Sequence, residues 1–284
     1  MNLKHLLLAL FIVALALNPA TGAITSETIT WRSSALDRET TYIASLPSPL
    51  VPGRRYPVIY LLHGAYDGYT AWTDRTTVTQ LLDNRDIILI MPDGDPFGWY
   101  LDSPIKASNK YETAICSDLI AEVDARYPTI PQRTSRAICG LSMGGHGALS
   151  LALKHPDVFG SASSLSGILD ISAHPGKWHL DELLGPQPEN IGNWNANSVA
   201  HLAATIAETS PTVLQQLPLL FDTGTSDSTG AVGDNRKLDG ILNEHRLWHI
   251  YREYPGGHTW AYWSAHIPEH LIFHEANFRR HSGN

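Results

Sequence analysis

Cys139-Gly140-Leu141-Ser142-Met143-Gly144-Gly145-His146-Gly147 decides how the rest of this sequence is read. It matches Gly-x-Ser-x-Gly, follows the apolar run Ala137-Ile138-Cys139, and leads into Ala148-Leu149-Ser150-Leu151-Ala152-Leu153, which reads as a helix. A serine hydroxyl attacks a carbonyl carbon only when a base takes its proton and when the oxygen stands clear of its own backbone. A sharp strand-to-helix turn supplies that exposure. The turn is tight enough that Gly140 and Gly144 are the residue types it admits on either side of Ser142.

In chains that use such a turn, an acid and then a histidine follow the serine, each at the end of a strand. Pro218-Leu219-Leu220-Phe221 is a short apolar strand running into Asp222-Thr223-Gly224-Thr225-Ser226-Asp227. Trp248-His249-Ile250-Tyr251-Arg252-Glu253-Tyr254 runs into Pro255-Gly256-Gly257-His258-Thr259-Trp260. These give Asp227 and His258 as partners of Ser142, with Asp222 as the second choice of acid. Earlier in the chain, residues 56–62 are apolar on consecutive positions, as in a central strand buried on both faces, and end at His63-Gly64-Ala65. A carbonyl attacked by Ser142 becomes an oxyanion, which two backbone N–H groups stabilise. The expected donors are Ala65, on the loop after this strand, and Met143, after the serine.

The chain has 284 residues, 43% of them hydrophobic and 17% charged, with a formal net charge of -8. That length suits one large domain, and the absence of any Lys/Arg cluster points away from nucleic acid. Met1-Asn2-Leu3-Lys4, an apolar run from Leu6 to Leu17, and the small residues Ala20-Thr21-Gly22-Ala23 after Asn18-Pro19 form the pattern of a signal peptide. Residues 1–23 are therefore expected to be removed, leaving a catalytic domain over residues 24–284 with no membrane span, secreted or periplasmic. In an oxidising compartment, Cys116 and Cys139 either form a disulfide or remain buried free thiols.

Residues 28–31 and 40–44 alternate as half-exposed strands of an antiparallel hairpin. Helices are expected at about 74–83, 111–127, 234–244 and from the end of the chain's last turn to about 278. Strands fall at 87–91 and 160–166, the latter made of small residues that pass close behind the elbow. Strand and helix alternate throughout, which means an α/β fold with a mostly parallel sheet covered by helices on both faces. The loop of residues 92–104 and the irregular insertion of about 167–203, a small cap, carry Trp99, Tyr100 and Trp178. With Trp260 these are the candidate substrate-binding walls. Of the 14 histidines, His270 and His274 share a helical spacing, but no third ligand accompanies them. A solvated helix face is expected there, with no metal and no cofactor.

Taken together, Leu61-Leu62-His63-Gly64, Gly140-Leu141-Ser142-Met143-Gly144-Gly145, Gly224-Thr225-Ser226-Asp227 and Gly257-His258-Thr259-Trp260 resemble the esterase D family of α/β-hydrolases. Tyr111-Glu112-Thr113 and Ser166-Gly167 with Leu169-Asp170 add to the likeness, which covers nearly all of residues 24–284. The family includes S-formylglutathione hydrolases, feruloyl and acetyl esterases, tributyrin esterases and secreted mycolyltransferases. The resemblance implies Ser142 as nucleophile, His258 as general base and then acid, Asp227 as its orienter, and Ala65 and Met143 as oxyanion donors. It implies hydrolysis of short acyl or aryl esters, feruloyl or acetyl among them, on a small molecule or an ester-decorated carbohydrate. Acyl transfer to a sugar or alcohol and a formylglutathione thioesterase are the alternatives within catalysis. A non-catalytic carbohydrate-binding scaffold using the 8 tryptophans is the alternative outside it.

Overall fold

A computed structural model of the chain describes residues 23–281. The expected signal peptide, apart from Ala23 at its end, lies outside these residues. Among the described residues eight strands form a single sheet: β1 (Ala23–Ser33), β2 (Arg38–Ser48), β3 (Val58–Leu62), β4 (Ile88–Pro92), β5 (Arg136–Leu141), β6 (Ser161–Leu165), β7 (Leu219–Gly224) and β8 (Ile250–Tyr254), in the order β1-β2-β4-β3-β5-β6-β7-β8. β1 and β2 are the expected hairpin, each 11 residues long, and β2 runs antiparallel to β4. From β4 to β8 every pairing is parallel.

Parallel strands need crossovers, and these place helices on both faces of the sheet. Side chains of β3 and β5 alternate between the two layers. Tyr60, Leu62 and Ile138 pack on one side with the elbow helix Met143–Lys154 and the helices Val199–Thr209 and Ala231–Glu244. Ile59, Leu61, Ala137, Cys139 and Leu141 pack on the other with the last helix, Trp260–His281. β3 to β7 are buried at every position, whereas β8, at the edge, is only half-buried.

This alternation settles the cysteines: both are free. Cys139 points from β5 toward the last helix, while Cys116 packs against the opposite layer, so of the two alternatives the free thiols are the ones found, Cys139 buried and Cys116 half-buried. The helix expected over 111–127 is interrupted by a π-helical segment, Ala114–Leu119, and the helix expected over 74–83 consists of two short pieces, Ala71–Arg75 and Gln80–Leu82. The insertion over 167–203 holds the short helices Leu180–Leu184 and Ile191–Asn195.

Candidate active site

The turn between β5 and the elbow helix puts Ser142 at φ 53°, ψ -117°. A non-glycine residue there is strained by roughly 1–3 kcal/mol, and the surrounding close packing holds it. A Cβ on Gly140 would lie 2.4 Å from Gly144 O, and one on Gly144 would lie 2.5 Å from His63 O. The sequence pattern is thus a steric requirement at both positions.

Three strand ends converge on this turn. Ser142 follows β5, Asp227 follows β7 and His258 follows β8, all at the carboxyl edge of the sheet. Ser142 Oγ is 2.8 Å from His258 Nε2, and His258 Nδ1 is 2.6 Å from Asp227 Oδ2. The serine hydroxyl donates to Nε2, and Nδ1–H donates to the carboxylate. The other oxygen of Asp227 accepts from the Thr229 backbone N–H at 3.0 Å and from its hydroxyl at 2.6 Å. Burial works to raise the pKa of Asp227, but the His258 and Thr229 donors hold it below the usual carboxylate value. Asp222, the second choice of acid, is committed elsewhere: its carboxylate accepts from His270 and Tyr262.

Ala65 stands in the loop after β3, and Gly64 lies so close to the elbow that a Cβ there would be 2.6 Å from Leu141 Cδ1. Met143 is the first residue of the elbow helix, so its N–H has no carbonyl within the helix to bind. Ala65 and Ser142 line one cleft of about 370 Å³, together with His258, Trp178, Trp260 and Trp263. Arg75 and Asp67, paired at 3.1 Å, form its polar side, and the Arg75 guanidinium lies 5.4 Å from the Trp260 ring centre. Burial pushes the Asp67 carboxyl up against the pull of Arg75.

Of the four expected wall residues, Trp178 and Trp260 face the cleft; Trp99 and Tyr100 are buried beneath it, and that expectation is corrected. Both have positive φ, 53° and 52°, which turns the loop inward. Tyr100 fills the space beside Gly94 and Gly147, and its hydroxyl donates to His63 O at 3.1 Å. Trp99 Nε1–H donates to the carbonyl of Trp178 at 3.1 Å. They support the walls without forming them. Thr229, Asp67, Arg75 and Trp263 escaped the sequence reading. Only Thr229 left a signal, as Asp227-Ser228-Thr229 is the spacing at which an aspartate caps the backbone two residues on.

His270 and His274 are fully buried, which corrects the expectation of a solvated face. His274 lies between Ser161 Oγ (2.8 Å) and Ser163 Oγ (2.7 Å), so the serines of β6 that read as a close passage behind the elbow also serve the far layer. Among the described residues, no group of three or more His, Cys, Asp or Glu is placed to hold a metal ion, and no helix is long and apolar enough to cross a membrane.

Residues 33–274 match the family model described as "Putative esterase". An esterase of Mycobacterium tuberculosis is 39% identical over 118 residues, 40% of this chain, and the match spans about a quarter (26%) of that protein's length. The diacylglycerol acyltransferase/mycolyltransferase Ag85A of the same organism is 27% identical over 250 residues, covering 76% of this chain and 72% of that protein. Among solved structures, a ferulic acid esterase superposes with a TM-score of 0.80 at 25% identity, covering 90% of this chain and 99% of that one. With an α/β-hydrolase sheet, a serine on a strained elbow and a family match over most of its length, the chain belongs to the esterase family.

Proposed function

We propose that this protein is a serine carboxylesterase for short acyl or aryl esters, working through an acyl-Ser142 intermediate. The observation that carries the reading is the unbroken chain of hydrogen bonds from Ser142 Oγ to His258 to Asp227, open to a cleft. As Ser142 Oγ bonds to the substrate carbonyl carbon, its proton passes to His258 Nε2, and the carbonyl oxygen becomes an oxyanion. The N–H groups of Ala65 and Met143 are suited to meet it, each such donor being worth about 3 kcal/mol. The imidazolium then gives its proton to the departing alcohol oxygen as the carbon–oxygen bond breaks. Water repeats the sequence on the acyl-enzyme, and Ser142 leaves protonated.

The cleft supports the substrate class. Trp178, Trp260, Trp263 and Leu141 give it apolar and aromatic walls, and its volume suits a short or aryl acyl group better than a long chain. The superposing ferulic acid esterase agrees with an aryl acyl group such as feruloyl. Arg75 and Asp67 offer donors and acceptors to a polar alcohol portion, such as a sugar. Nitrophenyl esters from acetate to palmitate, methyl ferulate and an acetylated sugar test this together. The expected order places acetate or ferulate at least tenfold above palmitate in kcat/KM, and a palmitate optimum refutes the substrate class. The likeness to Ag85A favours one second reading, acyl transfer to an alcohol. Product analysis with a competing sugar acceptor separates the two. The reading includes export, supported by the charged and then apolar amino terminus; retention of unprocessed protein in the cytoplasm counts against it.

A further inference from the structure

The last helix is tied to the sheet by buried polar side chains as well as apolar ones. Tyr262, in its first turn, donates its hydroxyl to Asp222 Oδ1 at 2.8 Å, and His270, two turns on, donates Nε2–H to Asp222 Oδ2 at 2.7 Å. Asp222 lies on β7 with its side chain 1% exposed and His270 is 0% exposed. Burial alone would push the His270 imidazole down, but the Asp222 carboxylate beside it raises it to about 10. His274, one turn further, is driven well below its usual value by burial and by His270, and stays neutral between its two serines.

A buried ion pair is a poor way to stabilise a helix on a sheet. Apolar side chains of the same volume do as well or better, because removing two charges from water costs several kcal/mol for each ion. What the pair supplies is direction. Two donors on one helix converge on one carboxylate and so tie that helix to β7 at a defined point.

The fixed position leads directly to the active site. Tyr262 is four residues beyond His258, and its ring closes over Gly256, where φ is 148° and a Cβ would lie 2.6 Å from Tyr262 Cδ2. The Gly256 carbonyl in turn accepts from Ser226 N–H at 2.8 Å, on the turn that carries Asp227. Trp263, beside Tyr262, meets the His258 ring edge-on at 5.0 Å between centres. We propose that Asp222, His270 and Tyr262 are positioning residues that lock the His258 loop against the Asp227 turn and so set the imidazole between Ser142 and Asp227. This rests on the hydrolase reading for its kinetic test, though not for its spectroscopic one.

The experiment compares the full chain with Tyr262→Phe, which removes one oxygen and keeps the ring over Gly256, and with Asp222→Asn. Turnover of a nitrophenyl ester is expressed per active site titrated by the acylation burst, and the low-field proton resonance of His258 Nδ1–H is recorded in parallel. Tyr262→Phe is expected to lower kcat per titrated site about tenfold with KM within twofold, and to shift or broaden that resonance. A lower melting temperature with kcat per site and resonance both unchanged overturns the proposal, since the cluster then only stabilises. If Asp222→Asn does not fold, Tyr262→Phe decides alone. Absence of ester turnover in the unaltered protein sinks the hydrolase reading, and the resonance still decides this one.

Discussion

Replacing Asp227 by asparagine removes one charge and nothing else in size, and the structure dictates how the amide must sit. Asp227 Oδ1 accepts from the Thr229 backbone N–H, a group that can only donate, so the amide oxygen has to stay on that side. Its NH2 group then takes the place of Oδ2, 2.6 Å from His258 Nδ1. Facing a donor, Nδ1 gives up its proton, the proton moves to Nε2, and Nε2 points an N–H at Ser142 Oγ. The base can no longer accept the serine proton. Asp227→Asn in this geometry should lower kcat by about 10⁴, or about 5.5 kcal/mol of transition-state stabilisation, the scale known for the wrong tautomer in a serine triad. Stopped-flow turnover of a nitrophenyl acetate gives the rate, and imidazole ¹⁵N shifts give the tautomer. A loss of less than tenfold with Nδ1 still protonated refutes the assignment of Asp227 as the orienting acid. Asp222 does not serve as a reserve, since both its oxygens are held by the last helix.

Glu112, bound to Lys154 Nζ at 2.7 Å and His155 Nε2 at 3.0 Å, is held down to about 2 by these partners against the effect of its burial. A carboxylate whose pKa falls on folding stabilises above its unfolded value of 4.5 and loses that contribution as the pH drops toward 2. Denaturant titrations of Glu112→Gln should therefore show a deficit of about 3 kcal/mol at pH 6 that closes by pH 2, and a pH-independent deficit counts against the pairing. His270 runs the other way: its pKa is raised to about 10, so its share is complete below its unfolded value of 6.5 and fades as the pH climbs through 10. The alkaline fall in melting temperature should be shallower in His270→Gln, and an equal slope in both proteins refutes a charged His270. Gly144→Ala should fail to fold or lose several kcal/mol, because the methyl meets backbone at 2.5 Å, while Gly240→Ala, in open space within the helix Ala231–Glu244, should gain up to about 1 kcal/mol in urea unfolding. Similar effects from the two would show that the elbow is not sterically constrained.

The elbow, the three strand ends and the alternation of strand with helix were legible because each rests on local rules: glycines where no Cβ fits, apolar runs, and turns after them. Residues whose surroundings come from distant strands were not. His270 and His274 read as polar spacing on a helix, yet Asp222 on β7 and Ser161 and Ser163 on β6 give them buried partners that no window of sequence contains. Trp99 and Tyr100 lie on a loop in the right place, but positive φ at both turns their rings under the site. Disulfide and free thiols both stood open for the cysteines, because no window of sequence shows that Cys139 faces the last helix while Cys116 packs in the opposite layer.

The imidazole, the mobile proton carrier in the proposed reaction, follows an edge strand, while the hydroxyl and its elbow grow from the middle of the sheet. Among the described strands β8 pairs with β7 alone and is half-exposed, so its amides should exchange with solvent sooner than those of the buried β5. A brief opening at this margin would silence the enzyme with its nucleophile still mounted and its interior dry, and closure would restore it without refolding.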